Sequence, residues 1–405
     1  MSYDALVLGG GPAGATTAWF LARSGWSVAL LEKTPFPRRK VCGEFISATT
    51  LPLFRALGIE ETFLDMAGPP VRKVGVYAGE HMLMAPMPVN GAASERWGRA
   101  LGREHLDTLL LDSARQAGVD VKQPWVATKL AREDKEFICR ASALNMSADM
   151  KLRARIVVAA HGSWEAGSLP TLIPKRSLKP GDLFAFKAHF VQADLAAGVM
   201  PLLAFPGGYG GMVHTDHGRV SLSCCIRHDV LQQCRAQTHP RAAEATLAHI
   251  MKYCAGARRA LSGARTEGTW LSTGPIRPGI RALHNDSIFA VGNTAGEAHP
   301  VVAEGISMAM QGAWLLSGLL IANRAQVLCG ATAEVGHAYA RAWYRHFAPR
   351  LRNAAFFAHL AMRPAATTIL LPLFQHAPGL LSLCTRISGK TTKVINIPSL
   401  ISGTL

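Results

Sequence analysis

Residues 4–33 read DALVLGGGPAGATTAWFLARSGWSVALLEK. The apolar run 5–8 leads into Gly9-x-Gly11-x-x-Gly14. A helix-compatible segment follows, and a second apolar run (28–31) ends at Glu32. A lone GxGxxG is a weak signal, but here strand, glycines, helix and acid stand in the order a dinucleotide site requires. Gly9 allows the tight turn, Gly11 lets the backbone approach a pyrophosphate, and Gly14 lets the helix pack close on the strand. Pro12 and Ala13 open that helix, whose free N–H groups and dipole favour phosphate. Glu32, followed by Lys33, stands about 20 residues on, where a carboxylate accepts from a ribose 2′-OH. The motif implies an ADP-containing dinucleotide and leaves NAD and FAD open.

The rest of the chain sets bounds on this site. At 405 residues, 49% of them hydrophobic, it is long enough for two connected domains with a sizeable core. Asp4 interrupts the N-terminus and no basic lead precedes it, so a secretory signal is not expected. No apolar run approaches the ~20 residues of a bilayer span, and residues 312–322 read as a buried helix. The eight cysteines show no CxxC pair and no His/Cys ligand spacing, which points to a reduced, cytoplasmic protein without a metal site. The net charge of +16 is spread over dispersed clusters with no RNA-binding signature, so nucleic acid is not expected. The field suits an acidic protein partner, such as a carrier presenting a tethered substrate, or peripheral contact with an anionic membrane. An inert basic surface is the plain alternative.

Residues 103–117 carry apolar positions at 106, 109, 110 and 114, a helical period, with Gly118 as a C-cap. Val126–Leu130 reads as a strand, and so does 154–160, which ends at His161-Gly162. Segments 71–87 and 183–226 alternate as strands do, the first around a turn at Gly79, and imply a separate antiparallel sheet. A strand at 287–291 reaches Gly292-Asn293, and a helix is expected from Gly305 to Ala322. The last 70 residues read as helical and apolar, broken by Pro349, Pro364, Pro372 and Pro378. The expected fold is α/β. It has a Rossmann-type nucleotide domain in three pieces (1–70, 100–165, 280–325), a β-sheet substrate domain (71–99 and 170–279) and a helical cap (326–405).

Four landmarks make the chain resemble the flavoprotein superfamily of para-hydroxybenzoate hydroxylase-like monooxygenases, geranylgeranyl reductases and flavin-dependent halogenases. These are the fingerprint with Glu32, Arg103-x-x-Leu106-Asp107, the 156–163 segment, and the run Gly292-Asn293 through His299-Pro300 to Gly305. The resemblance implies FAD, with Arg103 and Val126 among its contacts. Gly292, Asn293, Gly305 and Ile306 would receive the ribityl chain and the pyrimidine end of the ring. Two departures stand out. His161-Gly162 replaces the family's Asp-Gly, which weakens the case for a direct nicotinamide reductant. Asn293 replaces the aspartate of Gly-Asp. NAD(P)H is thus expected only as a transient reductant, and the halogenase Trp-x-Trp-x-Ile-Pro motif is absent.

The segment from Arg39 to Glu44 resembles the Lys-x-Cys-Gly-Glu loop of the reductase branch, which lies beside the flavin. Arg39 is expected near the cofactor. Cys42 would face the ring as a thiol activated by Arg39 and Lys40, or simply permit close packing. Glu44 would act as a general acid or base, or pair with Arg39. His299 and Tyr209, the latter in Pro-Gly-Gly-Tyr-Gly-Gly, are further catalytic candidates, with pocket-closing and sheet-rim roles as their alternatives. His161 and Trp164 are candidates for a nicotinamide approach. A basic aromatic stretch, 341–363, could rest on a membrane or cap the domain. The leading expectation is hydroxylation of a hydrophobic or aromatic substrate through a flavin C4a-hydroperoxide. Reduction of a carbon–carbon double bond in a lipophilic chain is the runner-up, and a non-catalytic flavoprotein docking on an acidic partner is the third.

Overall fold

Strands Ser2–Leu8 and Val28–Leu31 pair in parallel, Ala5 opposite Val28 and Leu8 opposite Leu31. Successive apolar residues suit strands covered on both faces. The computed structural model describes residues 2–89, 97–144, 148–163, 169–171, 177–237, 241–377, 379–390 and 394. Trp164 therefore lies outside the described residues. The parallel part of the first sheet runs Ile288–Ala290, Asp149–Ala159, Ser2–Leu8, Val28–Leu31, Asp120–Lys122, with His284–Asn285 antiparallel at the Ile288–Ala290 edge. Ala5, Val7, Val28 and Leu30 face helices Pro12–Arg23, Arg103–Gln116 and Gly305–Ala322. Leu6, Leu8, Ala29 and Leu31 instead pack on the antiparallel strands Trp125–Glu133 and Glu136–Ala143.

The second sheet has seven strands in the order Arg265–Ile276, Leu183–Val191, Val220–Arg227, Gly208–His214, Val199–Phe205, Lys73–Ala78, His81–Pro86. It is antiparallel except where Val199–Phe205 joins Lys73–Ala78 in parallel. Helices Ala242–Tyr253 and Ala255–Leu261 cover one face through Phe186, Phe205, Leu222 and Ile250. The other face carries Ala185, Ala204, Tyr209 and Val213 and looks toward the nucleotide domain and the C-terminal helices.

Those helices are Ala333–Ala361, Pro364–His376 and Gly379–Thr385. Pro349 and Pro372, expected as breaks, lie inside the first two. Tertiary packing decides this, because Tyr339, Trp343, Phe347 and Leu351 anchor the first helix in the core and outweigh the hydrogen bond that proline removes. The first two helices meet at 102°. Among the described residues, Gly305–Ala322 is long and apolar enough by composition to cross a membrane, longer than the apolar run 312–322 suggested, and most of it is buried within the protein.

A buried ionic link joins the second sheet to the start of the Arg103–Gln116 helix. Glu44, fully buried with a left-handed φ of 63°, accepts from the Lys187 ammonium and the Arg103 backbone N–H (3.1 Å) on one carboxylate oxygen. Its other oxygen lies 2.8 Å from His189 Nε2. Lys187 and His189 alternate with the core residues Phe186, Ala188 and Phe190, so the pleat turns both toward the nucleotide domain. Burial by itself raises the Glu44 pKa, but the His189 hydrogen bond and the Lys187 charge outweigh it and bring the pKa down to about 2. Glu44 is therefore a fixed anion held by Lys187 and His189, and neither a proton donor at neutral pH nor the partner of Arg39.

Removing one member of a buried pair strands the other, at a cost of about 3–5 kcal/mol. Glu44→Gln is expected to destabilise by that order, measured by urea unfolding. A carboxyl with a folded pKa near 2 and an ordinary value of 4.5 contributes its stability above pH 4.5 and loses it as pH falls from 4.5 toward 2. The gap between wild type and Glu44→Gln should thus be constant above about pH 5 and shrink below it. A gap undiminished at about pH 3 would remove the ion pair as its source.

Candidate active site

The close approaches that the fingerprint requires are present. Gly9 has φ 111°, and a Cβ there would lie 2.5 Å from the Ala160 carbonyl oxygen. A Cβ on Gly14 would lie 1.8 Å from the Gly9 carbonyl oxygen. Neither contact is survivable, so both residues seat the helix against the strands. Gly11 differs, because it borders open space with the Arg103 guanidinium as its nearest neighbour at 3.8 Å.

Gly11, Pro12 and Ala13 line one end of a cavity of about 590 Å³. Arg103, Gly162, Gly292, Asn293, Gly305 and Ile306 line the same cavity, so the four separate landmarks converge on one space. Gly162 N–H donates to Thr294 Oγ1 (3.1 Å), which ties the 156–163 segment to the 292–305 segment. Glu32 is buried beside this end and accepts from Gly10 N–H (2.8 Å) and Thr34 N–H (2.9 Å). Trp125 N–H donates to the Glu32 carbonyl (2.9 Å), so Val126 follows a residue tied to Glu32 but does not itself line the cavity. Lys33 is exposed at the tip of its strand.

Arg103 is fixed by a two-pronged ion pair with Asp107, both contacts at 2.7 Å. Burial disfavours its charge, yet Asp107 and the Cys42 thiol, which also bonds it, outweigh burial and raise its pKa. Arg39, expected at the cofactor, instead reaches the Thr269 carbonyl (3.2 Å) and His189 (3.5 Å) on the second sheet. Its neighbour Arg38 takes the nucleotide side, 3.7 Å from Glu32 and 3.6 Å from Asp107. Consecutive residues of an extended loop face opposite ways, so Arg38 stands where Arg39 was expected. The cation beside Cys42 is Arg103 rather than Arg39.

Cys42, Glu44, Tyr209 and His299 also line the cavity. The Cys42 sulfur accepts from Glu44 N–H at 3.3 Å. The Tyr209 hydroxyl and His299 Nδ1 are 3.3 Å apart. Burial, with a smaller contribution from His359, lowers the His299 pKa to about 4, so the imidazole is neutral at physiological pH. Burial pushes Tyr209 well above its ordinary value and keeps it protonated. Burial likewise holds His161 neutral, near 4.

Three further groups support the site, of which the sequence reading named only Lys40, as a cation beside Cys42. Lys40 lines the cavity, and burial together with Arg103 and Arg38 lowers its pKa to about 8. Glu297 accepts from Asn293 Nδ2 (3.3 Å), Ser163 (3.0 Å) and Arg281 (3.1 Å), and so orients the Asn293 amide. Lys390 lines the cavity near Glu304 (3.4 Å) at the start of the Gly305–Ala322 helix. An acid four residues after Asn293 was a readable signal, whereas nothing local pointed to Lys390. Among the described residues His105, Asp216 and His217 could converge on a metal, but Asp216 already serves Arg219, Thr215 and the Gly102 amide.

These residues fit FAD. The glycine cradle is open toward the cavity at Gly11, a buried cation stands at Arg103, and free N–H groups of helix first turns stand at Ala13 and Gly305. Nothing lies within 4 Å of a Cβ built on Gly305, which leaves room for a ring edge. Gly11→Asp should purify folded but without flavin absorbance, with FAD affinity weakened at least about a hundredfold, or ~3 kcal/mol. A fully yellow Gly11→Asp protein would count against this placement.

The comparisons agree with the geometry. The chain matches the FAD binding domain family over residues 2–331. It is similar to conditioned medium factor receptor 1 of Dictyostelium discoideum (24% identity, 79% of this chain), spanning 63% of that protein's length. It is also similar to digeranylgeranylglycerophospholipid reductase 2 of Methanopyrus kandleri (26% identity, 76% of this chain and 74% of the relative). Menaquinone reductase of Mycolicibacterium smegmatis is 21% identical over 95% of this chain and 91% of its own. Among solved structures, the flavin-dependent brominase Bmp2 shares the fold with TM-score 0.76 at 18% identity, covering 100% of this chain and 98% of the brominase. PqsL of Pseudomonas aeruginosa, a probable FAD-dependent monooxygenase, shares it with TM-score 0.68 at 17% identity, covering 94% and 100%. Fingerprint, cavity and family together establish that this chain belongs to the FAD binding domain family and is an FAD-dependent oxidoreductase.

Proposed function

We propose that the protein reduces a carbon–carbon double bond in an elongated lipophilic substrate. The observation that carries this is one cavity, continuous from Gly11 and Arg103 to Leu371, Phe374 and Leu381 of the C-terminal helices. Val74, Val76, Met200, Leu202 and Val213 of the second sheet line its middle. Such a wall offers an extended chain apolar burial along its length and excludes water from the reacting end. Bound FAD supplies the hydride in a reaction of this kind.

The chain's own part is to deliver a proton to the second alkene carbon. We assign this to the Cys42 thiol, which lines the cavity beside Arg103. Its proton would pass to carbon, and the thiolate left behind would sit beside the Arg103 guanidinium until it regains a proton from water. Tyr209 on the opposite sheet and His299 in the 292–305 segment, both neutral, orient the substrate as hydrogen-bonding groups. The resemblance of the Cys42-Gly43-Glu44 loop to the reductase branch supports this reading, and so does the similarity to reductases of digeranylgeranylglycerophospholipid and menaquinone.

Hydroxylation of a hydrophobic substrate is the second reading, favoured by neutral His299 at the mouth of the Gly292–Gly305 segment and by the shared fold of PqsL. Product mass separates the two. Protein reduced anaerobically and given geranylgeraniol or a menaquinone in detergent should yield a product with two added hydrogens. A product formed only with oxygen and carrying one added oxygen atom would establish hydroxylation instead. Cys42→Ser should keep its flavin and lose about 10²–10³-fold in turnover. Full activity in Cys42→Ala would sink its role as donor.

A further inference from the structure

Phe356 is 60% exposed and Leu380 42% exposed, yet both line the cavity. A side chain meets both conditions only at an opening. The mouth therefore lies between helices Ala333–Ala361 and Gly379–Thr385. Around it Ile369 (69% exposed), Leu373, Leu383 and Ile387 project to the outside. Met82 and Met84 of the neighbouring strand are also exposed. That strand is tied to the helices by Gln375 Nε2 to His81 (3.0 Å) and by the Ser382 hydroxyl donating to the Pro86 carbonyl (2.8 Å). Single exposed apolar residues are ordinary, but a group of them around one opening marks an interaction surface.

The charge around the opening specifies the partner. Arg341, Arg345, Arg352, Arg363 and Arg386 are exposed on the same helical segment, and no Asp or Glu occurs between residues 335 and 390. A second copy meeting this face about a two-fold axis would set these arginines against their own kind. A sheet of anionic headgroups over hydrocarbon meets both properties of the face, since arginines stay at the headgroups while apolar side chains enter the acyl boundary.

We propose that this face docks on an anionic lipid bilayer and seats the cavity mouth in the headgroup region, so that a lipophilic substrate passes from the leaflet to the flavin end without crossing water. The inference rests on the lipophilic-substrate part of the proposed function and is independent of whether that substrate is reduced or hydroxylated.

Vesicle binding tests it without turnover. The FAD-loaded protein should co-sediment with phosphatidylglycerol/phosphatidylcholine vesicles about tenfold or more tightly than with phosphatidylcholine alone, with affinity falling as salt rises. Ile369→Glu combined with Leu373→Glu should weaken binding about tenfold and leave bound FAD and the unfolding midpoint unchanged. Leu373→Trp should gain fluorescence that brominated lipids quench. Three outcomes would each overturn the proposal: equal affinity for neutral and anionic vesicles, added fluorescence in the Leu373→Trp variant that brominated lipids leave unquenched, or dimerisation through this face without vesicle binding. Failure here alongside a reduced or hydroxylated lipophilic product would leave the proposed function standing.

Discussion

The two halves of the molecule depend on a carboxylate that never meets water. Glu44 sits on the loop that carries Cys42, accepts the first N–H of the Arg103 helix, and binds Lys187 and His189 on the facing sheet. One oxygen pair thereby fixes three things that must agree: the thiol, the helix holding the cavity's buried cation, and the wall opposite. A buried ion pair is weak grounds for net stability, because desolvation offsets most of the attraction. Its value lies in geometry, since a charge with nowhere else to go tolerates few alternative arrangements.

The same logic orders the nucleotide end. Arg103 is held by Asp107 one turn along its own helix, and Asn293 by Glu297 four residues further along its segment. In each case a residue facing the cavity is aimed by a buried acidic side chain. The groups on the substrate side are neutral, with His299 low and Tyr209 high in pKa. Charge is concentrated where phosphates and a reduced ring belong, and removed where an apolar chain would lie.

Much of this was legible from local pattern. The fingerprint, the Arg103 helix and the Gly305–Ala322 helix announce themselves because short-range sterics and periodicity determine them. The Arg265–Ile276 strand did not, because its exposed sequence RTEGTWLSTGPI has no regular alternation and forms by pairing with Leu183–Val191. Lys187 and His189 were readable in principle, since two cations two apart in an apolar strand demand a buried partner. Arg38 and Arg39 were not separable by type, because only the loop's path decides which faces the nucleotide. Pro349 misled for a related reason: packing of residues on both sides of it overrides a local rule.

The long Ala333–Ala361 helix has a further implication for how such proteins diversify. Its first half packs through Tyr339 and Trp343 on the nucleotide domain, and its last turns lie among cavity-lining residues of the second sheet. The matched family region ends at residue 331, just before this helix begins. The matched region therefore holds the fingerprint, Arg103 and the 292–306 segment, while part of the cavity wall is encoded in a contiguous stretch that follows it. Exchanging that stretch would reshape the apolar end of the cavity while leaving the fingerprint, Arg103 and the 292–306 segment untouched, a modular division written into the order of the sequence.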